Sequence, residues 1–172
     1  MIIFSGGVSS PLFIMRTILE EFDRQFLALD RRSRELIERT PQSLLFVKPP
    51  ELTNSMAPSS CGEYILRSAA MVEKTFGGIT TRLWDDPYEW TLQEAFSEKE
   101  QVFDYLTTVE KTRKLGFAFL ASDADLTREI PAPVEMTSLL SVLLETLAIA
   151  EHYQGRAFAF LQVLSNVDLP RR

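Results

Sequence analysis

Apolar residues along this chain recur at alternating three- and four-residue steps, the spacing that keeps them on one face of an α-helix. The first such stretch carries Leu12, Met15, Leu19, Phe22, Phe26 and Leu29. Ser10 is placed to cap it, Pro11 suits the first helical turn, and Pro41 marks its end. From Pro41 to Ser59 four prolines and no sustained period predict a long loop, within which Leu44-Leu45-Phe46-Val47 packs onto the bundle. Ser60-Cys61-Gly62-Glu63 opens a second helix with a capping-box pattern, and its seam runs through Ile65, Ala69, Val72, Phe76, Ile79 and Leu83 until Asp85, Asp86 and Pro87. Gly77-Gly78 reads as a kink in it. Thr91 and Glu94 form another capping box, predicting a third helix through Phe96, Phe103, Leu106 and Val109 towards Leu120, with Gly116 weakening or bending its last turns. Asp123 to Pro133 is a connector. The fourth helix is expected from near Thr137 to about Ser165; it is apolar on almost every side between Leu139 and Ala150, which places it centrally.

These segments predict an all-α four-helix bundle with a long loop between the first and second helices. It forms a single domain over residues 10–166, with short tails at 1–9 and 167–172.

Composition supports a globular domain and removes several functions. The chain has 172 residues, 45% hydrophobic and 24% charged, with a net charge of −6. Basic residues are interleaved with acids, so the dense Lys/Arg footprint of a nucleic-acid binder is missing. Cys61 is the one cysteine, which excludes an internal disulfide and a cysteine cluster; with no leader pattern at Met1–Gly7, a cytoplasmic location is expected. No apolar run approaches the roughly 20 residues a membrane span requires, so no membrane partner is expected. Phosphate-cradling glycine loops, nucleophile elbows and HExxH are absent, and His152 is the one histidine.

The stretch Ile149-Ala150-Glu151-His152-Tyr153-Gln154-Gly155-Arg156, followed by apolar Ala157 to Leu164, resembles the signature on the final long helix of the DinB-like (YfiT-like) bundle family. Ser60-x-Gly62-Glu63-x-x-x-Arg67 is similar to the family's motif on the second helix, and the likeness spans about residues 10–165. The resemblance implies a pocket between helices two and four and a homodimer. Three histidines in the family typically hold a divalent metal such as nickel or zinc. Carried over by position, they correspond here to Arg67, Ile149 and Tyr153. A guanidinium repels a metal, isoleucine has no lone pair and neutral tyrosine is a poor ligand, so no cofactor is expected. His152 lies roughly 100° around the helix from Tyr153.

Glu63, Glu145 and His152 are neighbours of those positions, and the stripe through Glu145, Ile149 and Tyr153 suggests that Glu145 pairs with Arg67 across the bundle. The seam through Ile65, Ala69 and Val72 leaves open a second place for Arg67, on the surface. Cys61, in the first turn of its helix, is either an activated thiol or an inert packing residue. Trp84, Tyr88 and Trp90 are expected to plug one end of the bundle. Two functions follow: a metal-free module binding a small molecule or a protein, or a thiol or small-molecule transferase or hydrolase-like enzyme using the same pocket.

Overall fold

The computed structural model describes residues 15–48, 60–88 and 96–165. Helix α1 spans Thr17–Arg39, a single turn α2 spans Gln42–Leu45, α3 spans Cys61–Thr81 and α4 spans Lys99–Phe119. A 3-10 turn at Asp123–Thr127 leads into a hairpin of β1 (Glu129–Pro131) and β2 (Met136–Ser138), and α5 runs over Leu139–Leu164. The long helices are the predicted ones. The strands were not anticipated, because two three-residue strands are too short to show a period.

The helix directions follow from their contacts. Asp123 accepts hydrogen bonds from Ile18 N and Leu19 N, and Leu139 N donates to Arg128 O, so α1 and α5 start at the same end. Arg32 reaches Glu151 and Gln154 midway, which makes the two helices parallel. Ser68 Oγ donates to Ala150 O and Thr75 meets Thr146, so α3 descends against α5. Arg113 on α4 pairs with Asp23, and Arg16 donates to the carbonyls of Phe117, Leu120 and Ala121, so α4 descends against α1. The order is up, down, down, up, with α4 and α5 flanking α1 on one side and α3 on the other.

Helix termini are capped in two ways. At α3 the Ser60 side chain accepts from Glu63 N while the Glu63 carboxylate accepts from Ser60 N, the reciprocal box the sequence predicts. At α1 the capping group comes from elsewhere: Asp123, 104 residues away, supplies the carboxylate for the first free amides. Ser10, Pro11 and Leu12 lie outside the described residues; within them α1 begins at Thr17, and Met15 is exposed rather than part of the seam. Thr91, Glu94 and Trp90 also lie outside the described residues, and α4 starts at Lys99, where Gln101 Oε1 accepts from Ser97 N and Glu98 N. Helix α3 ends at Thr81 with Arg82 in the left-handed region, so Leu83 falls past the seam and is exposed.

Leu19, Phe22, Phe26, Leu29, Ile65, Val72, Phe76 and Leu106 are buried in one core, and on α4 Val102 joins them while the partly buried Phe103 packs against it. Both expected weak points are packing devices. Helix α3 continues through Gly77-Gly78, and Gly78 gives its surface to the Trp84 indole. Gly116 lies against the Phe76 ring within an uninterrupted α4. Leu45 is fully buried, and Phe46 covers Gly62, as the apolar patch in the loop predicts.

Candidate functional site

An open cleft of about 390 Å³ lies between α3 and α5. Met71, Lys74 and Thr75 line it from α3, and Val142, Glu145, Thr146 and Ile149 from α5. Trp84 and the hairpin tip, Ala132 to Glu135, form its remaining walls. The spacing explains the floor: residues four apart stand on one helical face, and two such stripes meet where α3 and α5 run antiparallel.

The walls are anchored. Trp84 stacks on Gly78, where no Cβ intervenes, and its Nε1–H donates to Pro131 O at 2.9 Å, tying the segment after α3 to the hairpin. Thr75 and Thr146 hydroxyls meet at 2.7 Å, both buried. Lys74 Nζ lies 3.5 Å from Asp86.

The residues singled out from the sequence divide into two groups. Ile149 and Glu145 line the cleft, with Glu145 exposed. Arg67, on α3, does not line it; it is half-buried, with the buried Tyr88 ring 4.0 Å from its guanidinium carbon. Glu63 and Tyr153 act electrostatically on the same phenol, whose pKa burial raises and Arg67 opposes. The expected pairing of Arg67 with Glu145 is absent: among the described residues no ion pair joins them, because Tyr88 occupies the guanidinium face and Glu145 projects into solvent. Arg67 Nε is buried without a hydrogen-bond partner among the described residues. His152 is exposed and contacts the Tyr153 ring, while its neighbour Glu151 is drawn to Arg32 instead.

A guanidinium beneath an aromatic ring, a hydrocarbon and a phenol form a donor set that does not fit a divalent cation. Among the described residues no group of three His, Cys, Asp or Glu side chains is placed to hold a metal. Cys61 is fully buried, and desolvation pushes its thiol up to about 11, outweighing a hydrogen bond with Thr40. At neutral pH it is a packing thiol rather than a nucleophile.

Two features escaped sequence reasoning. Gln154, inside the motif on the last helix, is 2% exposed; its amide donates to Leu29 O at 2.7 Å and Ser33 Oγ at 2.8 Å, and its carbonyl accepts from Arg32 Nε. Its only sequence signal was a polar side chain on the buried face of α5, in step with Ala150 and Ala157. Trp84 was assigned to a bundle plug, and its role as a cleft wall depends on the unforeseen hairpin.

Four long helices in up-down-down-up order, with a cleft between the second and the last, define an all-α bundle of the DinB-like type. The DinB-like protein YjoA of Bacillus subtilis has this fold at a TM-score of 0.66 and 16% identity, over 88% of this chain and 96% of that one. A DinB-like protein from Bacillus cereus is similar at a TM-score of 0.67 and 11% identity, over 89% of this chain and 96% of its own. No protein-family profile matches the sequence, and no curated protein sequence does either. Among the described residues, no helix is long and apolar enough to cross a membrane.

Proposed function

We propose that this chain, read as one domain over residues 10–166, is a metal-independent DinB-like bundle that binds a small molecule in the cleft between α3 and α5. The cleft itself carries the reading: at about 390 Å³ it falls within the range of small-molecule sites, and it joins an apolar floor to a few polar groups. Its walls are held in place without a ligand, by Gly78 and Pro131 on Trp84 and by Asp86 on Lys74, which lowers the entropic cost of binding. A protein thiol takes no part in this reading, because Cys61 is sealed in the core.

The test is a small-molecule screen on the untagged chain, read by NMR shifts at the Trp84 indole and the backbone of residues 132–137, together with elemental analysis. Ligands shifting those signals, and losing their effect in Ile149→Trp, are the expected outcome. Stoichiometric nickel or zinc, or a screen that leaves the cleft signals unmoved, refutes the reading.

A homodimer accompanies this proposal. Ile18, Leu115, Phe119, Leu140 and Leu144 are exposed and belong to the end of the bundle where α1 and α5 start and α4 finishes, apolar surface that a second copy would cover. Light scattering that returns the mass of one chain at high concentration refutes it.

A further inference from the structure

The polar groups of the cleft differ in what they leave free. Trp84 Nε1–H is committed to Pro131 O, and the Thr137 hydroxyl to Glu135 O at 3.4 Å. Thr146 donates its hydroxyl proton to Val142 O at 2.7 Å, one turn back along α5. A hydroxyl has one proton to give, so in the 2.7 Å contact between the two threonines Thr75 is the donor, and the Thr75 oxygen retains only lone pairs. The Lys74 ammonium faces Asp86, which balances its charge. The carboxylates of Glu135 and Glu145 also line the cleft, and among the described residues neither has an ion-pair partner. Lys74 keeps two N–H groups beyond the one facing Asp86, but the charge of the cleft is set by the two uncompensated carboxylates, and its other free capacity is acceptors.

The apolar part is complementary to one kind of body. Met71 and Ile149 form a floor for a hydrocarbon or aromatic group, and the half-buried Trp84 adds a π face, which attracts a cation. We infer that the cleft takes an organic cation: an apolar or aromatic body carrying a primary ammonium, whose N–H groups meet Glu135, Glu145 and the Thr75 oxygen. This rests on the reading of the cleft as the ligand site and adds the chemical class of its ligand. An anionic ligand of the same shape meets two carboxylates, while the one ammonium of the cleft, Lys74, already has its charge balanced by Asp86. Both carboxylates are exposed, so the preference for a cation is strongest at low ionic strength.

Three probes of nearly equal shape separate the contributions: phenethylamine, phenethyl alcohol and 3-phenylpropionate, each titrated at low salt into the full chain and followed at the Trp84 indole N–H and residues 132–137. The amine is expected to bind at least about tenfold more tightly than the alcohol, and the acid more weakly than either. In the Glu135→Gln/Glu145→Gln double variant the amine loses most of its advantage over the alcohol, whose own binding stays the same. If the alcohol or the acid shifts the same signals at equal or higher affinity than the amine, the cation inference is overturned and the cleft remains a binding site. If the amine keeps its advantage in the double variant, the assigned carboxylates are wrong and the inference is also overturned. Should none of the three probes move the cleft signals, the reading of the cleft as a site for ligands of this size falls with it.

Discussion

Replacing Gly116 by alanine adds one methyl group to the buried face of the last turn of α4, and helix propensity alone favours the change by up to about 1 kcal/mol. The structure opposes it. A Cβ on Gly116 runs into Cδ1 of Phe76 and lies 3.0 Å from its Cγ and 3.1 Å from its Cβ. Phe76 is fully buried and cannot swing aside: its ring sits edge-on to Phe26 at 5.3 Å and 4.9 Å from Phe117. Overpacking a core costs about 1–3 kcal/mol, and a ring held on two sides belongs in the upper half of that range. The net expectation is a loss of about 1–2 kcal/mol, or roughly 2–8 °C in Tm for a chain of this size.

Gly77 is the internal control. There the nearest atom to an added Cβ is Leu83 O at 3.7 Å, an ordinary contact, so Gly77→Ala is expected to stabilise by about 0.5–1 kcal/mol. Urea unfolding of the two variants side by side, with unchanged m-values, gives opposite signs if the reasoning holds. A Gly116→Ala protein as stable as Gly77→Ala refutes it. A further check is coupling: in the Phe76→Leu background, Gly116→Ala should cost less than it does in the wild type.

Gln154→Leu should destabilise by about 1–3 kcal/mol, because Leu29 O and Ser33 Oγ lose their buried donor; a urea midpoint equal to wild type contradicts this. Asp125 has a pKa lowered by hydrogen bonds from the backbone of Ser122 and Ala121, so its carboxylate contributes stability above its unfolded value of 3.8 and loses it as pH falls through the lower folded value. Asp125→Asn should accordingly be less stable than wild type at pH 7, with the gap closing below pH 3.8. A gap that stays constant from pH 7 to pH 3 removes the charge from the explanation.

The long helices were legible because their information is local. The seam from Leu19 to Leu29 and the Ser60–Glu63 box both lie within a few residues of what they organise. What was hidden acts across the chain. Asp123 starts α1, Gln154 fixes α1 against α5, and Trp84 closes a cleft with a hairpin nearly fifty residues later. Glu145 and Ile149 line the cleft while Arg67 and Tyr153 do not, and the Arg67–Glu145 pair did not form, since nothing near Arg67 in sequence announces the ring of Tyr88, twenty-one positions on. Glycines misled for the same reason: their local meaning is weakness, whereas Gly78 and Gly116 are the recesses into which distant rings fit.

The up-down-down-up order has a consequence for how the chain is made. Helix α1 leaves a ribosome before the helices that cover it: Phe26 meets Phe76 only after fifty more residues, and the hydrogen bonds of α1 to Arg113 and Gln154 bridge 90 and 125 positions. At about 5–20 residues per second, the face of Leu19, Phe22 and Leu29 waits on the order of 5–20 s before α4 and α5 can cover it. During that interval the nascent chain carries an uncovered amphipathic helix, and α5, made after the other three long helices, is the one that seals it.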